Sequence, residues 1–234
     1  MDLKESTSRT YLSDFGKFLE FVTGTNPLKN TQLVWNHPAT VAERRFITDS
    51  EYHALIEAAT PEEELIVRLG GEMGLRRSEI ARIRLEDIGD RTIVIRGKGR
   101  GPRGYVTNTE IPDSVKHAIG RYLPFREEIL KVHGDRSRGN LMVRSRQRAG
   151  EPLPPDQVGE IVERLSRRTG IEVTPHCFRR YFATRLYMEG VSPLDIQRRM
   201  RHAVFETTAR CYLDSDPNDF IACKGVLKSA IQTW

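Results

Sequence analysis

A small set of residues in this sequence has the types and spacing to act on a phosphodiester. His176 and Arg179 stand three apart in Thr174-Pro175-His176-Cys177-Phe178-Arg179-Arg180, so a helix places them on one face. Arg180 joins that face from four positions after His176. Thr174 is a candidate N-cap and Pro175 suits the first helical position. The cationic side chains then fall at the start of the helix, where backbone N–H groups and the macrodipole already favour an anion. Earlier, Gly74-Leu75-Arg76-Arg77-Ser78-Glu79-Ile80 puts Arg76 in a turn, ahead of a helix that Ser78 could cap. Lys98 sits in a glycine-rich connector, His202 near the end of a later helix, and Tyr212 ten residues beyond it.

Guanidiniums fork to the non-bridging oxygens of a phosphodiester and keep their charge at any working pH. Two of them, Arg76 and Arg179, could neutralise the charge that builds on those oxygens without requiring a metal. A tyrosine could attack the phosphorus, at a cost. With an ordinary pKa of about 10, roughly one in a thousand is ionised at pH 7, which is on the order of 4 kcal/mol of barrier unless a base takes the proton.

Gly74–Ile80, Lys98, His176-Cys177-Phe178-Arg179-Arg180, His202 and Tyr212 together resemble the active site of the tyrosine recombinase (phage-type integrase) family, over about Phe46 to Tyr212. Any one piece is weak; their order and spacing carry the likeness. The resemblance implies a mainly helical α+β catalytic-domain fold with a small antiparallel sheet. It implies a catalytic set of Arg76, Lys98, His176, Arg179, His202 and Tyr212, with Glu79 orienting the basic cluster. In that scheme Tyr212 is the nucleophile and His176 the base. Lys98 protonates the leaving 5′-oxygen, and His202 hydrogen-bonds a non-bridging oxygen. The product would be a 3′-phosphotyrosine, which a second 5′-hydroxyl can reseal without metal, cofactor or ATP. Site-specific recombination or integration of double-stranded DNA follows, by a homo-oligomer that becomes a tetramer in synapsis. Two other readings stay open: a type IB topoisomerase-like nicking-closing enzyme of the same chemistry, and a non-catalytic DNA-binding module of the same fold. The complete residue set argues against the module. This sequence departs from the family at Arg201, where Gly usually precedes the histidine, and at Phe178, where Leu is common.

The elements that must position these residues are legible in the same way. Thr48-Asp49-Ser50-Glu51 and Thr60-Pro61-Glu62-Glu63 are capping boxes opening two helices, the first running through Ala59. The second carries Leu65, Ile66, Leu69 and Met73, with Gly70 and Gly71 permitting close packing and Gly74 closing it. Residues 91–96 and 105–111 are β-branched runs that read as antiparallel strands joined by the Lys98 connector. Residues 111–123 and 125–132 read as two helices, 133–150 as an arginine- and glycine-rich segment with at best a short strand at 141–143, and 156–168 as a helix with a buried stripe. Phe178, Tyr181, Phe182, Arg185 and Leu186 line one side of the His176 helix, which Gly190 can end. Ser192 caps the next helix, which ends near His202.

Around the site, Arg77, Arg100, Arg103, Arg180, Arg198, Arg199 and Arg201 are candidate DNA contacts; for Arg100 and Arg103 a merely exposed basic hairpin is the equal alternative. Residues 8–22 form an amphipathic helix whose stripe (Tyr11, Leu12, Phe15, Phe18, Leu19, Val22) must be covered by something. By resemblance, residues 1–45 are a remnant of a core-binding domain, its last helix and a linker; residues 46–222 are the catalytic domain. Residues 223–234 form a tail helix that docks in cis or on a neighbouring protomer.

The bulk numbers set bounds. At 234 residues the chain holds one large domain with an appendage or two small ones. A net charge of +5 favours a polyanionic partner mildly. Three cysteines with no CxxC pair argue against a disulfide framework or zinc site and for reduced, cytoplasmic thiols. The start, MDLKESTSRTY, lacks the apolar core of a signal peptide, and no run approaches the roughly 18 apolar residues of a membrane span.

Overall fold

The computed structural model describes residues 5–26, 28, 46–97 and 105–201. Lys98, Arg100, Arg103, His202, Tyr212 and the tail at 223–234 lie outside them. The chain divides into two compact units, residues 1–43 and 44–234. In the first, helix α1 (Glu5–Thr23) forms as the spacing predicts. Tyr11, Phe15, Phe18, Phe21 and Val22 are exposed on it.

The second unit is mainly helical, with one two-stranded antiparallel sheet. Both capping boxes are formed: Thr48 and Thr60 accept from the N–H groups of Glu51 and Glu63, whose carboxylates accept the cap N–H in return. They open α2 (Asp49–Ala58) and α3 (Pro61–Gly71). Leu65, Ile66, Leu69 and Met73 on and just beyond α3 are fully buried, making it the central helix of the core. A Cβ on Gly70 would stand 2.8 Å from the Cβ of Phe178, so the glycine sets how closely the two helices approach. Three consecutive glutamates in the first turn of α3 are buried, and each pairs with an arginine of a neighbouring helix, Glu62 with Arg164 at 3.6 Å. Arg168 forks onto Glu63 at 2.6 and 3.1 Å, and Glu64 takes Arg68 at 2.7 Å together with Arg121.

After Gly74 (φ +61), a short helix α4 (Arg77–Ile80) follows. Its cap is Arg76, so Ser78 lies inside the helix and does not cap it. The Glu79 carboxylate selects that start, because its Oε2 accepts the Arg76 backbone N–H at 3.1 Å. Strands β1 (Thr92–Gly97) and β2 (Tyr105–Glu110) pair from Thr92 with Glu110 to Gly97 with Tyr105. The two helices expected over 111–132 are one, α5 (Asp113–His133), with Pro124 inside it. Val115, Ala118, Ile119 and Tyr122 before the proline and Arg126 and Ile129 after it are all buried. Burial on both sides carries the helix across one missing N–H donor. Helix α6 (Pro155–Thr169) buries Val158, Ile161, Val162 and Leu165. Helices α7 (Pro175–Met188) and α8 (Pro193–Met200) complete the unit, with Gly190 at φ +78 turning the chain between them. Tyr181 of α7 stacks on Tyr52 of α2 at 4.4 Å and donates to Asp49 at 2.7 Å.

Candidate active site

Arg76 and Arg179, 103 positions apart in the chain, line one groove of about 510 Å³ together with His176, Arg77, Ser78 and Thr174. Three devices bring them together. The left-handed Gly74 turns the chain out of α3, and a Cβ there would strike the Phe182 ring at 2.5 Å. The Pro175 start of α7 aims the first turn at the groove. The left-handed end of α8 at Arg201 (φ +53) brings its last carbonyls back to the same place. Thr174 holds the cap position of α7, yet its hydroxyl meets Cys177 Sγ at 3.2 Å and makes no cap bond to the backbone.

Glu79 is the centre of the network and is 1% exposed. Its Oε1 accepts from Arg76 Nη1 at 2.7 Å and from the Tyr105 hydroxyl. Its Oε2 accepts from Arg201 Nη2 at 3.0 Å as well as from the Arg76 backbone. Burial works to raise its pKa, but the Arg201 charge and the bonds from Tyr105 and Arg76 outweigh that and hold it below the usual carboxylate range. Arg76 also donates to Tyr105 Oη at 3.0 Å and to the Arg201 carbonyl at 3.2 Å. Arg179 is 2% exposed and donates to the carbonyls of Gly74 and Met200. Burial first, then the charges of Arg76 and Arg201, push its guanidinium down to about 9, which leaves it charged at neutral pH. Three guanidiniums around one carboxylate leave the cluster positive, and Arg179 meets carbonyls where Arg76 meets a carboxylate.

Tyr105 belongs to this site although its strand pattern gave no sign of it. The available clue is its register opposite Gly97, since a Cβ on Gly97 would overlap the phenol at 2.0 Å. Only a glycine lets that ring lie across β1 and reach Glu79.

Of the expected DNA contacts, Arg77, Arg198 and Arg199 are on the surface. Arg77 sits 3.3 Å from Asp156, and Arg198 sits 3.3 Å from Asp195. Two others are not where they were expected. Arg180 is 6% exposed, because its guanidinium stacks 5.0 Å over the Phe46 ring and is taken out of solvent there. Arg201 is drawn inward by Glu79 and is 7% exposed at its side chain. His176 is exposed at the groove. Among the described residues, no group of three or more His, Cys, Asp or Glu side chains could hold a metal ion, and no helix is long and apolar enough to cross a membrane.

The sequence profile of the Phage integrase family matches residues 45–219. The tyrosine recombinase XerA of Pyrococcus furiosus is 33% identical over 167 residues, 69% of this chain and 54% of the relative. Transposase A from transposon Tn554 of Staphylococcus aureus is 29% identical over 188 residues, 75% of this chain and 50% of the relative. The chain thus spans about half the length of these curated relatives. Among solved structures, the Tn1549 transposon integrase in complex with a circular intermediate DNA superposes with a TM-score of 0.72 at 21% identity, covering 96% of this chain and 80% of that one. The XerA recombinase gives 0.59 at 23% identity, covering 88% and 70%.

Proposed function

Because the chain belongs to the phage integrase family, we propose that it is the catalytic portion of a tyrosine recombinase, which cuts and rejoins double-stranded DNA through a covalent 3′-phosphotyrosine. The observation that carries this reading is the convergence of Arg76 and Arg179 on one groove with His176, each arginine oriented by buried acceptors. Such a pair is preorganised for the equatorial oxygens of a phosphodiester under attack, and preorganised donors need no rearrangement as charge develops.

In this reading Arg76 and Arg179 bind the scissile phosphate and Glu79 with Tyr105 fixes Arg76. Tyr212 attacks phosphorus, and its proton passes to His176. Lys98 protonates the departing 5′-oxygen, and His202 donates to a non-bridging oxygen. The bond to Tyr212 replaces the bond to the 5′-oxygen, so attack by another 5′-hydroxyl reverses the step with no external energy. The exposed Arg77, Arg198 and Arg199, together with Arg100 and Arg103 of the connector, are the candidate backbone contacts. The Tn1549 transposon integrase is solved in complex with DNA, and the same partner is proposed here. Recombination requires two duplexes, hence an oligomer on DNA, with a tetramer at synapsis. The division of the chain between residues 43 and 44 supports a separate N-terminal unit ahead of the catalytic domain proposed for 46 to 222.

The test is to incubate the protein with DNA of a candidate element, denature, and recover covalent complexes for sequencing of the attached ends. The wild type should yield adducts at one defined position, and Tyr212→Phe should yield none while binding DNA as before. A denaturant-resistant adduct in the Phe variant would assign the nucleophile elsewhere.

A further inference from the structure

We infer that Arg201 is a positioning residue for both groove arginines, acting through the direction of two successive carbonyls at the end of α8. The inference rests on the proposed strand-transfer reading. Arg201 adopts φ +53, ψ +41, a left-handed conformation that glycine takes freely and a long side chain seldom does. What holds it there is its own guanidinium, folded back into the protein. Nη2 donates to the Gly74 carbonyl and to Glu79 Oε2, each at 3.0 Å, and Nη1 donates to the Arg199 carbonyl at 2.9 Å. One side chain therefore ties the end of α8 to the turn that carries Arg76.

The consequence falls on the backbone. The Arg201 carbonyl accepts from Arg76 Nη2 at 3.2 Å, and the Met200 carbonyl accepts from Arg179 Nη2. Both groove guanidiniums thus take part of their orientation from peptide groups flanking the left-handed residue. A glycine would adopt the same φ and ψ but would not hold them, because nothing would link that residue to Glu79 and Gly74. The competing account is that Arg201 is only a strained cap with a buried ion pair. The two accounts differ in what Arg201→Gly does: a strained cap relieved by glycine leaves the arginines as they were.

The experiment compares wild type, Arg201→Gly and Arg201→Lys in two measurements. The first, without DNA, is side-chain nitrogen NMR of the Arg76 and Arg179 guanidiniums, whose rotation about the Nε–Cζ bond is hindered while both Nη atoms are held. The second is single-turnover formation of the covalent adduct, with DNA affinity measured alongside. Arg201→Gly should free that rotation and slow adduct formation at saturating protein on the order of a hundredfold, the scale of a misplaced catalytic group, a larger factor than its change in DNA affinity. Arg201→Lys should recover part of both, since an ammonium still reaches Glu79. Unchanged rotation and an unchanged rate in Arg201→Gly would overturn the inference. If the wild type forms no adduct, the strand-transfer reading fails, while the rotation measurement still decides the role of Arg201. Should the glycine variant not fold, Arg201→Gln removes the charge and is too short to reach Glu79 and Gly74 as the guanidinium does, and is expected to show the same two losses; their absence would overturn it equally.

Discussion

Replacing Glu79 by glutamine should destabilise the protein by about 3–5 kcal/mol at pH 7, the usual cost of removing one partner from a buried ion pair. The structure supports that range directly. Glu79 accepts four donors: Arg76 Nη1, the Arg76 backbone, the Tyr105 hydroxyl and Arg201 Nη2. A glutamine keeps one acceptor oxygen and turns an NH₂ toward the remaining donors. Each buried donor left unpaired costs about 1–3 kcal/mol, more when charged. Arg76 is 36% exposed and can turn to water, whereas Arg201 at 7% cannot, so most of the loss falls on Arg201. The pH dependence has a definite sign. Because the folded Glu79 titrates below its ordinary 4.5, its contribution is complete above that value and is lost as pH falls through the lowered folded value. Urea unfolding of wild type and variant across pH 7 to 3 should therefore show a gap that narrows with acidification. A gap under about 1 kcal/mol at pH 7, or one that does not change with pH, would refute the assignment of Glu79 as the charged centre of the site.

Glu62 should show the opposite behaviour. Burial pushes it up to about 7 from an ordinary 4.5, with Arg164 at 3.6 Å only partly offsetting this, and its Oε1 has no partner among the described residues. The folded state holds that proton longer than the unfolded one, so stability falls as pH rises from 4.5 toward 7. Glu62→Gln should then gain up to about 3 kcal/mol above neutral pH and little near pH 4, read by thermal or urea unfolding; a variant less stable than wild type at pH 8 would contradict this. Cleavage should persist in EDTA, since Arg76, Arg179 and Lys98 supply the positive charge in the proposed step; loss with chelator and recovery with magnesium would point to another nuclease chemistry.

The arginines of the site were legible because each sits in a local pattern of its own. Arg76 follows a helix-ending glycine, and Arg179 follows a proline-started turn. The capping boxes of α2 and α3 were legible for the same reason, since side chain and partner lie three residues apart. What escaped depends on contacts distant in sequence. Tyr105 enters the site through its cross-strand glycine. Arg201 reads as one more surface arginine in an arginine-rich run until Glu79, 122 positions earlier, is brought beside it. Arg180 reads as a neighbour of His176 on one helix face, but its guanidinium folds over the Phe46 ring and is buried there. Pro124 reads as a helix end, and only the buried stripe on both sides shows that the helix passes through it. The connector carrying Lys98 and the segment carrying His202 and Tyr212 lie outside the described residues, so those assignments rest on the family resemblance.

The central claim is that Arg76 and Arg179 neutralise charge on the scissile phosphate. It is tested most directly by single-turnover cleavage of paired substrates, one with the natural phosphodiester and one with an uncharged methylphosphonate at the cleavage position. Arg76→Ala should lose about 10²–10³-fold in rate on the phosphodiester, the scale for removing one such donor. On the methylphosphonate, which is uncharged before attack and develops one negative charge fewer in the transition state, the same variant should lose far less. An equal loss on both substrates would mean that Arg76 serves the fold and not the charge of the phosphate, and the account of the groove would fail.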